Sequence, residues 1–255
     1  MSRWLAPAAA VALALAAWEV AAQWDLLADL LSIEDFLIPA PTEIAETLWL
    51  ERSLLAEDAW VTLREVVLGF ALALVAGLAL AIAIHLSETA RRALYPLLVA
   101  SQTVPIVVIA PVLVVWFGFG IVPKLLIIAL ICFFPITVNA FDGLRSVDPE
   151  LLKMMRTLGA GRLQILRRAE LPWAMPFAFS GAKIAIAVAV IGAVFAEWAG
   201  SDSGLGHLIL VSSGELSTSL TFAAIVVLSA IAISLFALLS LIERHVIDWR
   251  EEPAR

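Results

Sequence analysis

Three histidines, His85, His207 and His245, and one cysteine, Cys132, are the side chains best suited to nucleophilic or metal chemistry. They are scattered along the chain, whereas a metal site needs three or four clustered ligands. No Ser-His or Cys-His pair sits at a common depth where one group could activate the other. No G-x-x-x-x-G-K-[ST] loop is present to cradle a nucleotide phosphate. The sequence therefore names no catalytic residue and no metal ligand. What remains is a set of polar groups inside apolar runs: Gln102, Asn139, Ser180, Lys183 and Glu197. In hydrocarbon such groups are costly, so they line a water-filled path or hydrogen-bond between helices. Gln102 and Asn139 fit either role. Ser180 can also bond back to its own helix. Lys183 lies about three turns beyond Trp173 and can lean toward the interface as an anchor. Glu197, beside Trp198, is either an interfacial charge or an outer gate or solute contact. Gln102, Asn139, Ser180 and Glu197 are the candidates for a pathway.

The elements that carry these groups follow from composition. Of 255 residues, 62% are hydrophobic and only 15% charged, and the mean hydropathy is +1.00. A soluble domain is about 45–50% apolar and about 25% charged. The excess falls in blocks long enough to span a bilayer, about 20 residues each. That excludes a soluble enzyme, a disordered chain and a disulfide scaffold. Six segments qualify: about 4–22, 65–86, 94–117, 122–141, 173–198 and 220–241. Each must satisfy its own backbone hydrogen bonds, so the fold class is all-α, a polytopic membrane protein. Residues 1–255 read as a single transmembrane domain. Pro105 and Pro111 kink the third span, or split it into a helix and a shorter tilted piece. Small residues recur every four positions, as Gly69, Ala73, Gly77 and Ala81 and as Gly181, Ala185, Ala189 and Ala193. Such rows let helices approach closely.

Arg3 and the alanine-rich stretch after it resemble a signal peptide, with Val20-Ala21-Ala22 as a cleavage site. The stretch exceeds a usual signal core and contains Trp18 and Glu19, so it reads as a span. Six spans put Arg3, Arg91, Arg92, Arg145, Lys153, Arg156, Arg162, Arg167, Arg168, Arg244, Arg250 and Arg255 on one side. The other side holds Arg52 and Lys124, with Arg64 at the edge. Basic loops face the cytoplasm, so both termini are expected there, with the chain in a bacterial-type inner membrane. Asp25, Asp29, Glu34, Asp35, Glu43, Glu46, Glu51, Glu57 and Asp58 crowd the first outer segment. Trp24, Trp60, Trp116 and Trp198 outside, and Trp4, Trp173 and Trp249 inside, mark the two interfaces.

Two connections are long. The outer one, about 23–60, contains Leu37-Ile38-Pro39-Ala40-Pro41, an extended stretch after which Thr42 can start a short helix. The inner one, 142–172, is the most basic part of the chain, yet it has helical pattern. Asp148-Pro149-Glu150 reads as a helix start. Leu151, Leu152, Met155 and Leu158, then Leu163 and Leu166, give an apolar stripe. Gly159 and Gly161 interrupt it, and a second short helix begins near Arg162 and ends at Leu171-Pro172. The outcome is an L-shaped helix-turn-helix.

The stretch from Lys153, Met154, Met155, Arg156, Thr157 and Leu158 to Gly159, with Ala169-Glu170-Leu171-Pro172 after it, resembles the signature loop of ABC importer permeases. The family pattern reads Glu-Ala-Ala, three residues, Gly, nine residues, Ile, one residue, Leu-Pro. The spacing from Lys153 through Gly159 to Pro172 matches without gaps. Gly159, Leu171 and Pro172 match in identity; Lys153, Met154, Met155 and Ala169 depart from it. Leu37-Ile38-Pro39-Ala40-Pro41, Thr62-Leu63-Arg64 with Leu68-Gly69-Phe70, and Ser203-Gly204-Leu205-Gly206 resemble the nitrate, sulfonate and taurine branch. Ser101-Gln102-Thr103-Val104-Pro105-Ile106, Trp116-Phe117-Gly118-Phe119-Gly120, Cys132-Phe133-Phe134-Pro135 and Asp142-Gly143-Leu144-Arg145 look most like permeases for hydroxymethylpyrimidine-type thiamine precursors.

The resemblance implies a type I importer permease that forms the path for a small solute and hydrolyses no ATP itself. It implies a second permease copy, two cytoplasmic ATPase subunits that carry the ATP and Mg, and an external solute-binding protein. No cofactor on this chain and no nucleic-acid partner are expected. Leu151, Leu152, Lys153, Met154, Met155, Arg156, Thr157, Leu158, Gly159, Ala160, Leu171 and Pro172 would couple to the ATPase. The solute would be a pyrimidine thiamine precursor, or a sulfonate- or nitrate-like one. An ion-gradient-driven transporter is the alternative of another class; it would need deep charges in several spans, and Lys183 is nearly alone.

Overall fold

The computed structural model describes residues 2–24, 34 and 37–247, the side chains of 2–5, 7 and 8 excepted. Asp25, Asp29, Asp35, Trp249, Arg250 and Arg255 lie outside the described residues, as do the side chains of Arg3 and Trp4. All regular structure among the described residues is helical. Helix α1 (Ser2–Gln23) and α2 (Pro41–Leu50) precede α3 (Arg52–Leu86), α4 (Glu88–Ser101), α5 (Ile106–Phe117) and α6 (Ile121–Arg145). The basic segment holds α7 (Pro149–Thr157) and α8 (Arg162–Ile165), and a π-helical turn, Leu166–Glu170, leads into α9 (Leu171–Gly200). Helices α10 (Leu205–Gly214) and α11 (Thr218–Val246) complete the order.

Four helical stretches are long and apolar enough to cross a bilayer: α3, α6, the run from Arg162 to Gly200, and α11. Helices α4 and α5 qualify together, bent by 102° at their junction. That junction is the split foreseen at Pro105: Val104 before the proline avoids helical geometry, and Pro105 itself is extended. Helix α1 occupies the first predicted span; its apolar stretch of described side chains, Ala9–Gln23, is shorter. The 35 residues of α3 extend to about 50 Å, against roughly 30 Å of hydrocarbon. The second predicted span, 65–86, is thus the apolar part of a longer helix whose first turns are polar.

Two local expectations are corrected. The second helix of the basic segment does not end at Leu171-Pro172; it runs through the π-turn into α9. Pro172 lacks an N–H and would crowd a regular helix. The π-turn, where the Leu171 N–H reaches back to Leu166 O, widens the spiral just ahead of it. Helix α2 starts on Pro41 rather than being capped by Thr42; Glu43 accepts the Ala40 N–H at 3.3 Å. Thr42 instead gives its N–H and hydroxyl to the Glu19 carboxylate, at 3.0 and 2.7 Å.

The chain forms two compact units, Met1–Val61 with Asp202–Ser229 and Thr62–Ser201 with Ala230–Arg255. In the first, α1 and α2 are joined by Glu19, and Trp18 lies 6.0 Å from Phe222 of α11. Asp58 is buried and its carboxylate accepts the Gly204 N–H at 2.7 Å. Asp58 is therefore a buried cap for the start of α10, not one of the surface acids.

The second unit is built around α6. Ile127, Ile128, Cys132 and Ile136 are fully buried there. Both small-residue rows pack against this helix. A Cβ on Gly69 would lie 2.7 Å from Ile128 Cβ, and one on Gly77 would lie 3.0 Å from Ile136 Cγ2. From the opposite row, a Cβ on Gly181 would lie 2.5 Å from Pro135 O, and Ala185, Ala189 and Ala193 are buried. The Thr137 hydroxyl lies 2.7 Å from Phe133 O of its own helix and 3.2 Å from Gly77 O, sharing its one proton between them, and Cys132 donates to Ala185 O at 3.3 Å. Close backbone approach and side-chain hydrogen bonds thus join α3, α6 and α9.

Candidate functional site

The first helix of the basic segment and the glycine turn after it lie where the pattern predicts them. Asp148 accepts the Glu150 N–H at 2.8 Å, Pro149 opens α7, and the helix runs to Thr157. Leu151, Leu152 and Met155 are half-buried, while Lys153, Met154, Arg156, Thr157 and Leu158 are exposed. Leu158 is 78% exposed. Gly159 has φ +84°, a left-handed conformation that other residues resist. Its N–H bonds to Arg156 O and that of Ala160 to Met155 O, both at 3.0 Å. This pair of bonds is the glycine-closed helix end that satisfies the last carbonyls. Gly161 then starts α8, giving its N–H to Gln164 Oε1 at 2.9 Å. The result is a helix with one apolar stripe tucked in and an apolar tip left bare.

At its root the segment is packed and ionically tied. Leu144, Leu166 and Ala174 form a buried cluster against Ile82 and the half-buried Leu171. Pro172 is half-buried in the first turn of α9. Glu170, 1% exposed, lies 2.9 Å from His85 Nε2 and 3.0 Å from an Arg162 guanidinium nitrogen. At the start of α4, hydrogen bonds from Arg92 and Arg91 hold the exposed Glu88 carboxyl below the usual carboxylate range.

The four pathway candidates occupy different environments. Gln102 is exposed at the α4–α5 bend, with only Ser101 Oγ near its amide, at 3.4 Å. It lines a cavity of about 440 Å³ with Ser101, Pro105, Ile109, Ile131 and Phe133, and no charged side chain lines it. Asn139 is half-buried and donates to Pro135 O at 2.8 Å. Ser180 is exposed and bonds back to Pro176 O at 2.9 Å. Glu197 is buried, 1% exposed, and accepts the Thr62 hydroxyl at 2.7 Å. The cavity thus collects Gln102, but not Asn139, Ser180 or Glu197.

Beyond the Glu170 pairs, two more ion pairs were not anticipated. Lys124, assigned to an outer connection, is buried and bonds Glu65 at 2.7 Å and Ser201 at 2.6 Å. Glu65 Oε2 has no hydrogen-bond partner. Lys183 pairs with Glu243 of α11 at 2.7 Å rather than reaching an interface alone. The signal available for both was an unlike charge on another span, which names no partner by itself. No group of three His, Cys, Asp or Glu among the described residues could hold a metal ion.

Among the described residues, an all-α fold thus carries a basic loop whose helix closes on a glycine, and an uncharged cavity at a bent helix pair. Residues 73–248 match the family described as the binding-protein-dependent transport system inner membrane component, and the chain belongs to that family. It is 36% identical over 230 residues to the formylaminopyrimidine transport permease protein ThiX of Halalkalibacterium halodurans, covering 90% of this chain and 92% of that one. It is 32% identical over 237 residues to the putative aliphatic sulfonates transport permease protein SsuC of Bacillus subtilis, covering 91% and 84%. Its fold matches the inward-facing MetNI methionine ABC transporter with a TM-score of 0.64 at 19% identity, over 79% of this chain and 98% of that one. The protein is therefore an ABC importer permease.

Proposed function

We propose that the chain is the path-forming subunit of an importer for a neutral pyrimidine precursor of thiamine, delivered by an external binding protein. The carrying observation is the uncharged cavity at the α4–α5 bend. Its amide, hydroxyl and Phe133 ring suit a planar, neutral, hydrogen-bonding solute. An anionic sulfonate would be expected to meet a cation there. The 36% identity to a formylaminopyrimidine permease points the same way. A second reading, sulfonate import, is supported by the 32% identity to an aliphatic sulfonate permease.

In this reading residues 1–255 act as one permease domain in the inner membrane, both termini cytoplasmic, paired with a second copy. Two ATPase subunits dock on Leu151–Ala160 and carry the ATP and Mg; this chain binds no cofactor. ATP favours one arrangement of the dimer over the other because it binds them unequally, and α7 carries that difference to the spans. The test is ATP hydrolysis by permease, ATPase and binding protein reconstituted together. Formylaminopyrimidine is expected to stimulate it and ethanesulfonate is not. Stimulation by the sulfonate alone would replace the first reading by the second. Uptake that follows an imposed ion gradient and ignores ATP would remove both.

A further inference from the structure

Glu170 lies in the π-turn that roots the basic segment, and each of its carboxylate oxygens faces a different element. Oε2 meets His85 Nε2 at 2.9 Å, from the last turn of α3. Oε1 meets Arg162 at 3.0 Å, from the first residue of α8. Glu170 is buried and His85 half-buried, with side chains 2% and 9% exposed, while Arg162 is 45% exposed. A buried carboxylate left without partners is strongly unfavourable, so arrangements that keep both contacts are favoured. The π-turn matters here: one extra residue in the spiral shifts the helix register on its far side, and such turns are frequent at functional sites. The apolar cluster of Leu144, Leu166 and Ala174 fixes where the π-turn sits, and the buried Ile165 tucks in the end of α8 just before it. Packing of one short turn restrains its rotation, and two hydrogen bonds to one planar carboxylate add a directional restraint.

We propose that Glu170 is a positioning residue, a clamp that makes α8 and the end of α3 move as one body. The inference rests on the reading of α7 as the ATPase contact, and extends it by naming the joint that passes α7 motion to the second span as well as the fifth. Without the clamp, α8 would still be covalently continuous with α9 but held near α3 by apolar packing alone.

The test places spin labels on Leu86→Cys and Leu163→Cys in a Cys132→Ala background. Both leucines are exposed, at 46% and 56%. Distances are measured on the permease alone and on its complex with the ATPase, with and without ATP. With labelled chains diluted in unlabelled ones, so that only the two labels of one chain are read, the intact clamp is expected to give one narrow distance throughout. Glu170→Gln and Arg162→Gln are expected to add a second, longer distance, and Arg162→Lys to keep the parental one. If Glu170→Gln does not fold, the half-exposed Arg162→Gln carries the test. A lower melting temperature in the Gln variants with an unchanged single distance would mean that Glu170 is merely structural and would overturn the clamp. So would a parent that splits into two distances when ATP is added. Failure of the parent to bind the ATPase removes the docking reading instead, and the clamp is then decided on the permease alone.

Discussion

A buried carboxylate that depends on one ammonium is exposed to the loss of that ammonium. Glu65 accepts from Lys124 and has an empty second oxygen. Lys124→Ala should therefore destabilise the detergent-solubilised protein by about 3–5 kcal/mol, the usual effect of stranding one member of a buried pair. A double Glu65→Leu, Lys124→Met variant should recover most of it, because the stranded charge is gone. An unchanged melting temperature in Lys124→Ala would contradict the assignment. At this scale the sequence was least legible. Lys124 read as one outer-side charge and Glu65 and Glu243 carried no reading at all, because partners 59 or 60 positions apart leave no periodic trace. Gln102 and Asn139 were visible as polar breaks in apolar runs, but not their difference in setting. If both line a pathway, cysteines there in a Cys132→Ala background should react with a small aqueous thiol reagent. Gln102→Cys should react faster, since Gln102 is exposed and Asn139 half-buried. Inertness of both, with and without ATP and the ATPase, would assign them to helix packing.

At the scale of elements, the joints between α3, α6 and α9 are made of residues without bulk. Gly69→Val would drive a branched side chain into Ile128 Cβ, which cannot swing away as the end of a long side chain could. Overpacking of this kind costs about 1–3 kcal/mol or more. Gly214→Ala, in open space on α10, should be near neutral. Thermal unfolding of the two variants compares them directly; equal melting temperatures would contradict the packing of α3 on α6. These rows were legible because a four-residue period of small side chains is a sequence pattern, and so was the broken third span, because prolines forbid one straight helix. The π-turn was not. It comes from how Pro172 is accommodated within a continuous helix, and Leu-Pro alone reads as a helix end. The polar first turns of α3 were missed for a related reason: hydropathy locates hydrocarbon, not the end of a helix.

For the whole molecule, charge sidedness and function are one question. Glu34, Glu46, Glu51 and Glu57 are exposed, whereas Asp58 is committed to the start of α10. Reversing those four to Lys should weaken docking of the binding protein at low salt and matter less at high salt, since exposed charges are screened. Unaltered docking at low salt would remove the acids from that surface. The central claim is that α7, closed by Gly159, is where the ATPase takes hold. Gly159 needs positive φ, which opposes a branched residue by roughly 1–2 kcal/mol, and nothing lies within 4 Å to be disturbed otherwise. The most direct measurement is co-purification of the ATPase with the membrane-inserted permease, alongside ATP-driven uptake in proteoliposomes. Gly159→Val and Met154→Asp should insert normally, lose the ATPase and stop transport. Normal co-purification and normal uptake by both variants would contradict the account.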